Sequence, residues 1–183
     1  MRLAGTIMNR GRVLLMYTFI PISMILLSIH WVYLLVGQDD SIVHQMQHYM
    51  YYLLPGLAFY GIGDLQKRFL NSMGISRLPM LCSFISLVFH GPWVYFLTVY
   101  LDLKVVGFGI AVSISNATTC ILMLILTLRE KKIEEAIFFP NSESFFGIYE
   151  YLRIAIPSTM MTCMDWWSFE IMIFTSGYFG KTA

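Results

Sequence analysis

The chain has 183 residues and a formal net charge of +1; 57% of residues are hydrophobic, 16% aromatic and only 13% charged, and the mean hydropathy is +0.67. A soluble domain averages about 25% charged residues, so this composition argues against one, and the basic residues form no aromatic-interleaved patch for nucleic acid. The apolar residues come in long blocks and not in short strands or one-sided helical stripes.

Five blocks follow in chain order, over residues 14–36, 49–70, 78–101, 105–128 and 155–178. A helix of about 22 to 24 residues reaches roughly 33 to 36 Å, enough to cross a hydrocarbon core of about 30 Å with modest tilt. Open strands leave backbone polar groups unpaired in lipid, and these blocks lack the alternation of a barrel strand. The expectation is an all-α, polytopic helical membrane protein with about five transmembrane helices. Pro21, Pro55, Pro79, Pro92 and Pro157 fall in or at the start of every block except the fourth. That block instead carries small residues, Gly107, Gly109, Ala111, Ser113, Ser115 and Ala117, which suit close helix packing.

Charge placement sets the expected orientation. Arg2, Arg10, Arg12, Lys67, Arg68, Arg77, Arg129, Lys131, Lys132 and Arg153 fall on one side of the five spans, and Lys104 and Lys181 on the other. By the positive-inside rule the first side is cytoplasmic, with the N-terminus inside and the C-terminus outside. Trp31, Tyr33, Tyr49, Tyr51, Tyr52, Tyr95, Tyr100 and Tyr178 cluster near the outer ends, where amphipathic rings favour the interface. The first dozen residues, MRLAGTIMNRGR, are polar and basic and show no cleavable signal.

Cys82, Cys120 and Cys163 sit inside spans without metal-ligand spacing and read as packing residues; no metal or cofactor is expected. The sequon at Asn116 lies mid-span and should be silent. His30 and His90 read as polar helix contacts, and His44 and His48 fall in an outer loop. Asp64 has Lys67 and Arg68 three and four residues on, so a local ion pair is expected. Residues 129–154 form the longest connection; they read as a short amphipathic helix on the inner membrane surface, or as a solvated linker with a greasy end.

Asp165 and Glu170 stand inside the fifth block, in MDWWSFEIMIFTSG. A mid-membrane acid costs roughly 2.5 to 3.5 kcal/mol on insertion scales, so such residues usually face a protein interior or a wet cavity and mark ion or substrate paths. A carboxyl group held there can take and release a proton, which is what an antiporter needs. Five residues turn a helix by about 140° beyond a full turn, so the two acids occupy different faces. Trp166 and Trp167 either offer ring faces to an organic cation or simply pack. A hydrogen-bonded pair locking helices together is the structural alternative for the acids.

Several stretches resemble eukaryotic members of the multidrug and toxic compound extrusion (MATE) family: NRGRVLLMYTFIPISMILL, YYLLPGLAFYG, RFLNSMGISRLPM, FHGPWVYFL, GFGIAVSISN and above all IAIPSTMMTCMDWWSFEIMIFTSG. The resemblance implies an antiporter of two six-helix bundles that exports organic cations and other xenobiotics against protons or sodium. It matches the five spans to the third through seventh helices: residues 1–128 to part of the first bundle, 129–154 to the cytoplasmic inter-bundle linker and 155–183 to the first helix of the second bundle. Asp165 and Glu170 then match the paired acids of the seventh helix, although the first of these is usually Glu and is here one methylene shorter.

The implied partners are the lipid bilayer, a small organic cation and a proton or sodium ion, in the plasma membrane or an internal vacuolar or vesicle membrane. A chain with five of the family's helices is expected to be a fragment that does not transport alone. The competing expectation is a non-transporting membrane scaffold or regulatory subunit. No cluster supports an enzyme.

Overall fold

The computed structural model describes residues 2–35, 37, 39–130, 132, 133 and 147–179. Its elements are α1 (Arg2–Leu35), α2 (Asp40–Ser72), α3 (Arg77–Tyr95), a π-helical turn (Phe96–Tyr100), α4 (Lys104–Leu128) and α5 (Ile148–Phe179). The described residues contain no strand. Most of the 129–154 connection, with Phe145 and Phe146, lies outside the described residues, as does Lys181; from Ile148 onward the chain is already helical and runs straight into α5.

Leu3–Leu35, Arg77–Tyr100 and Lys104–Leu128 are long and apolar enough to cross a membrane by length and composition. Helices α2 and α5 are as long, 33 and 32 residues, but each carries acids within its apolar block, Asp64 in one and Asp165 with Glu170 in the other. The third and fourth spans coincide with the apolar blocks to within a residue. Three helices overrun theirs: α1 starts twelve residues before residue 14, α2 nine before residue 49, and α5 seven before residue 155. Hydropathy marks where a helix meets lipid, whereas the helix continues until its backbone hydrogen bonding is broken or capped.

Helix α4 is the centre of the four-helix body, packed on α2 along one side and α3 along another, with α1 against the far side of α2. Its buried residues include Gly107, Gly109, Ala111 and Ser115, of which Gly107, Ala111 and Ser115 stand four apart on one face. Side chains this small let backbones approach closely. A β-carbon at Gly56 of α2 would stand 2.6 Å from Ser113 Cα, and one at Gly107 would stand 2.6 Å from the Leu97 carbonyl oxygen. Ser113 Oγ donates to the Tyr52 carbonyl at the first of these contacts.

The apolar core sits at the basic end, where Met8, Phe69, Leu70, Cys82, Met123 and Ile133 join α1 to α4. Pro92 lies inside α3 and the π-helical turn follows it, closed by Leu101 N donating to the Phe96 carbonyl at 3.0 Å. Pro lacks an amide hydrogen, and the wider turn is one of the ways a helix accommodates the missing bond. Two left-handed residues, Asp102 (φ 50) and Lys104 (φ 47), then fold the chain tightly into α4.

Candidate functional site: an acidic helix and a polar groove

Helix α5 joins the body through α1 at its own first turns. Gly147, at φ +75, accepts a 3.2 Å hydrogen bond from Tyr151 N and leaves room for the Arg10 guanidinium; a β-carbon there would come within 2.9 Å of it. The Tyr151 hydroxyl lies against Gly11, so α1 and α5 meet where Gly11 and Gly147 keep clear of side chains.

Beyond Ala155, every residue through Ser176 is exposed, Asp165 and Glu170 included. Neither acid has a hydrogen bond or ion pair to a described residue, so no described Lys or Arg clamps them. Trp166 and Trp167 are 67% and 66% exposed and stand on the same bare stretch. The helix satisfies its hydroxyls internally: Ser168 and Thr175 each donate to the carbonyl four residues back at 2.8 Å. The described residues bring no groove or second carboxylate to Asp165, and they leave its face uncovered.

The body holds a second polar feature, an open groove of about 340 Å³ between α2, α3 and α4. Its polar lining comes from Asp64 and Lys67 of α2, Ser83, Ser86 and His90 of α3, and Ser115, Asn116 and Thr119 of α4. His90 Nδ1 and Ser115 Oγ are hydrogen-bonded at 2.8 Å, and Ser86 Oγ donates to the Ser115 carbonyl at 3.3 Å. Asp64 receives Arg68 Nε at 2.7 Å, four residues along the same helix, which is the local pair the sequence suggested. The groove is the feature that sequence reasoning missed. Its signal is present, since residues 83, 86 and 90, and likewise 115, 116 and 119, recur at helical spacing inside otherwise apolar blocks.

His90 is thus the helix contact expected of it. His30 is not bonded in that way: its Nδ1 is buried without a partner among the described residues, while its ring meets Trp31 edge-on at 5.6 Å. Cys82 and Cys120 are buried and unpaired, and Cys163 is exposed on α5. No group of three or more metal-ligating side chains converges among the described residues.

Comparison with known proteins decides the family. The family model named MatE matches residues 1–96, which is more than half of the chain. The chain belongs to the MatE family. Among its MatE relatives, Protein DETOXIFICATION 12 of Arabidopsis thaliana is 30% identical over 86% of this chain and 33% of its own length. Protein DETOXIFICATION 18 of the same plant is 35% identical over 84% and 34%. Multidrug and toxin extrusion protein 1 of Oryctolagus cuniculus is 29% identical over 96% and 31%. The crystal structure of the eukaryotic MATE transporter AtDTX14 superposes with a TM-score of 0.85 at 25% identity, over 96% of this chain and 39% of that one. The chain therefore spans about a third of the length of the curated MatE relatives it matches. It is an integral, multi-pass helical membrane protein.

Proposed function

We propose that this chain is the segment of a secondary active antiporter that carries its coupling acids, Asp165 and Glu170, in a protein exporting organic cations or other xenobiotics against protons or sodium. The observation that supports the reading is a carboxyl group in the middle of a 32-residue helix, inside its apolar stretch, in a chain of the MatE family. A carboxylate at that depth persists where it faces protein or water, and there it can hold a proton or a cationic substrate but not both. If the two compete for Asp165 as access alternates between the membrane faces, inward flow of the ion drives the substrate out. Glu170 lies about 7.5 Å along the helix on another face and lines the edge of the same path. Trp166 and Trp167 offer ring faces to the cation.

By this reading, residues 1–128 contribute four helices of the first bundle, 129–154 the inter-bundle linker and 155–183 the first helix of the second bundle. The test is export of a fluorescent organic cation from proteoliposomes under an imposed pH or sodium gradient, using a full-length transporter that contains this segment. Asp165→Asn should abolish gradient-driven export while leaving insertion and yield unchanged; export at the unsubstituted rate removes Asp165 from the coupling role.

A further inference from the structure

Helix α2 begins at Asp40, well before its apolar block, and this early start turns two residues of an expected loop into neighbours on a helix. His44 and His48 stand four residues apart, both exposed, with ring centroids 4.6 Å apart and planes inclined at 53°. Four residues advance a helix by about 6 Å and return to nearly the same face. This is the spacing at which paired helical histidines ligate zinc.

Neither imidazole makes a hydrogen bond to a described residue, so each keeps a ring nitrogen lone pair available there. They differ in this from His90, which is committed to Ser115, and from His30, whose Nδ1 is buried. Among the described residues, neither exposed ring seals a helix interface. The next turn holds the pair in place: His48 meets the Tyr51 ring edge-on at 6.5 Å, and Gln47 Nε2 donates to the Tyr51 hydroxyl at 3.2 Å. Asp40, a further four residues back, extends the same helix line with a carboxylate.

We propose that His44 and His48 form a two-imidazole site for a divalent transition metal ion, zinc or copper, at the end of α2 opposite its basic end with Lys67 and Arg68. No third ligating side chain completes a closed site among the described residues. Water therefore fills the remaining positions, and the ion exchanges readily. Imidazole must be neutral to ligate, so occupancy falls as the medium turns acid. The site is independent of the antiport reading and survives if that reading fails.

The test is copper(II) and zinc titration of the 183-residue chain in lipid nanodiscs with its thiols blocked. The wild type should bind one copper ion whose electron paramagnetic resonance spectrum carries two nitrogen couplings. His44→Ala or His48→Ala should each weaken binding by at least roughly tenfold, since losing even an outer-shell partner of a ligand costs that much. The double variant should lose the two-nitrogen signature. His44→Gln with His48→Gln, checked for unchanged helical circular dichroism, guards against a folding effect. A double variant that titrates like the wild type, or a wild-type spectrum with one nitrogen or none, overturns the proposal.

Discussion

Gln66 Nε2 donates a 2.9 Å hydrogen bond to Thr127 Oγ1 across the α2–α4 interface, and Thr127 passes its own hydroxyl hydrogen to the Met123 carbonyl at 2.6 Å. Both side chains are buried, at 1% and 2% exposure, beside the apolar core at the basic end. The other Gln66 amide atom, Oε1, is buried without a partner among the described residues. Interhelical hydrogen bonds in membrane proteins contribute about 0.6 kcal/mol on average and up to about 1.7. We expect Gln66→Leu, which also removes the orphaned oxygen, to cost less than Gln66→Ala, which adds a cavity. Thermal unfolding in detergent reads the order; a larger loss for Leu contradicts it.

Gly56 meets Ser113 backbone to backbone, and an added methyl group would fall 2.6 Å from Ser113 Cα. The helices must then separate, and overpacking of this kind costs roughly 1 to 3 kcal/mol. Gly56→Ala should therefore lower the unfolding midpoint clearly. Gly91→Ala is the control, because nothing lies within 4 Å of a β-carbon at that position.

His90 and Ser115 tie α3 to α4 within the groove. A double-mutant cycle with His90→Ala and Ser115→Ala should return a coupling energy near 0.6 kcal/mol, bounded by about 1.7. Additive effects would mean that the contact contributes no coupling.

Arg68 and Asp64 form an exposed pair on one helix, with the Arg68 side chain 74% accessible. Pairs of this type contribute about 0.3 to 0.5 kcal/mol. Arg68→Ala should shift the unfolding midpoint very little, less than Gly56→Ala in the same assay.

Asp165→Glu keeps the carboxyl group and lengthens the side chain by one methylene. If the carboxyl group couples export, the variant keeps gradient-driven export in proteoliposomes while Asp165→Asn loses it. Loss in both would mean that the position needs the side-chain length of Asp as well as its carboxyl group.

How far the sequence could be read depended on which physical signal each feature leaves. Spans three and four were legible to a residue because lipid contact leaves unbroken apolar runs, such as Val105 to Leu128. The overruns at Arg2–Val13, Asp40–His48 and Ile148–Ile154 were not, because a helix in water leaves only weak marks on polar sequence. The same blind spot put His44 and His48 in a loop. Asp165 and Glu170 were legible because two acids in an apolar block stand out one by one. The His90–Ser115 contact was not, because it needs the relative rotation of α3 and α4, which no single helix records. The small residues of α4 were visible as composition, but only the fold selects Gly107, Ala111 and Ser115, four apart, as one buried line.

One consequence follows from how α2 and α4 are fastened. Smooth glycine and alanine surfaces would let the two rods slip lengthwise, but Ser113 pins one point to Tyr52 and Thr127 pins another to Gln66. The two pins sit 14 residues apart on α4, about 21 Å at helical rise. A plate riveted at both ends resists shear, so the two bonds hold these helices in one lengthwise register.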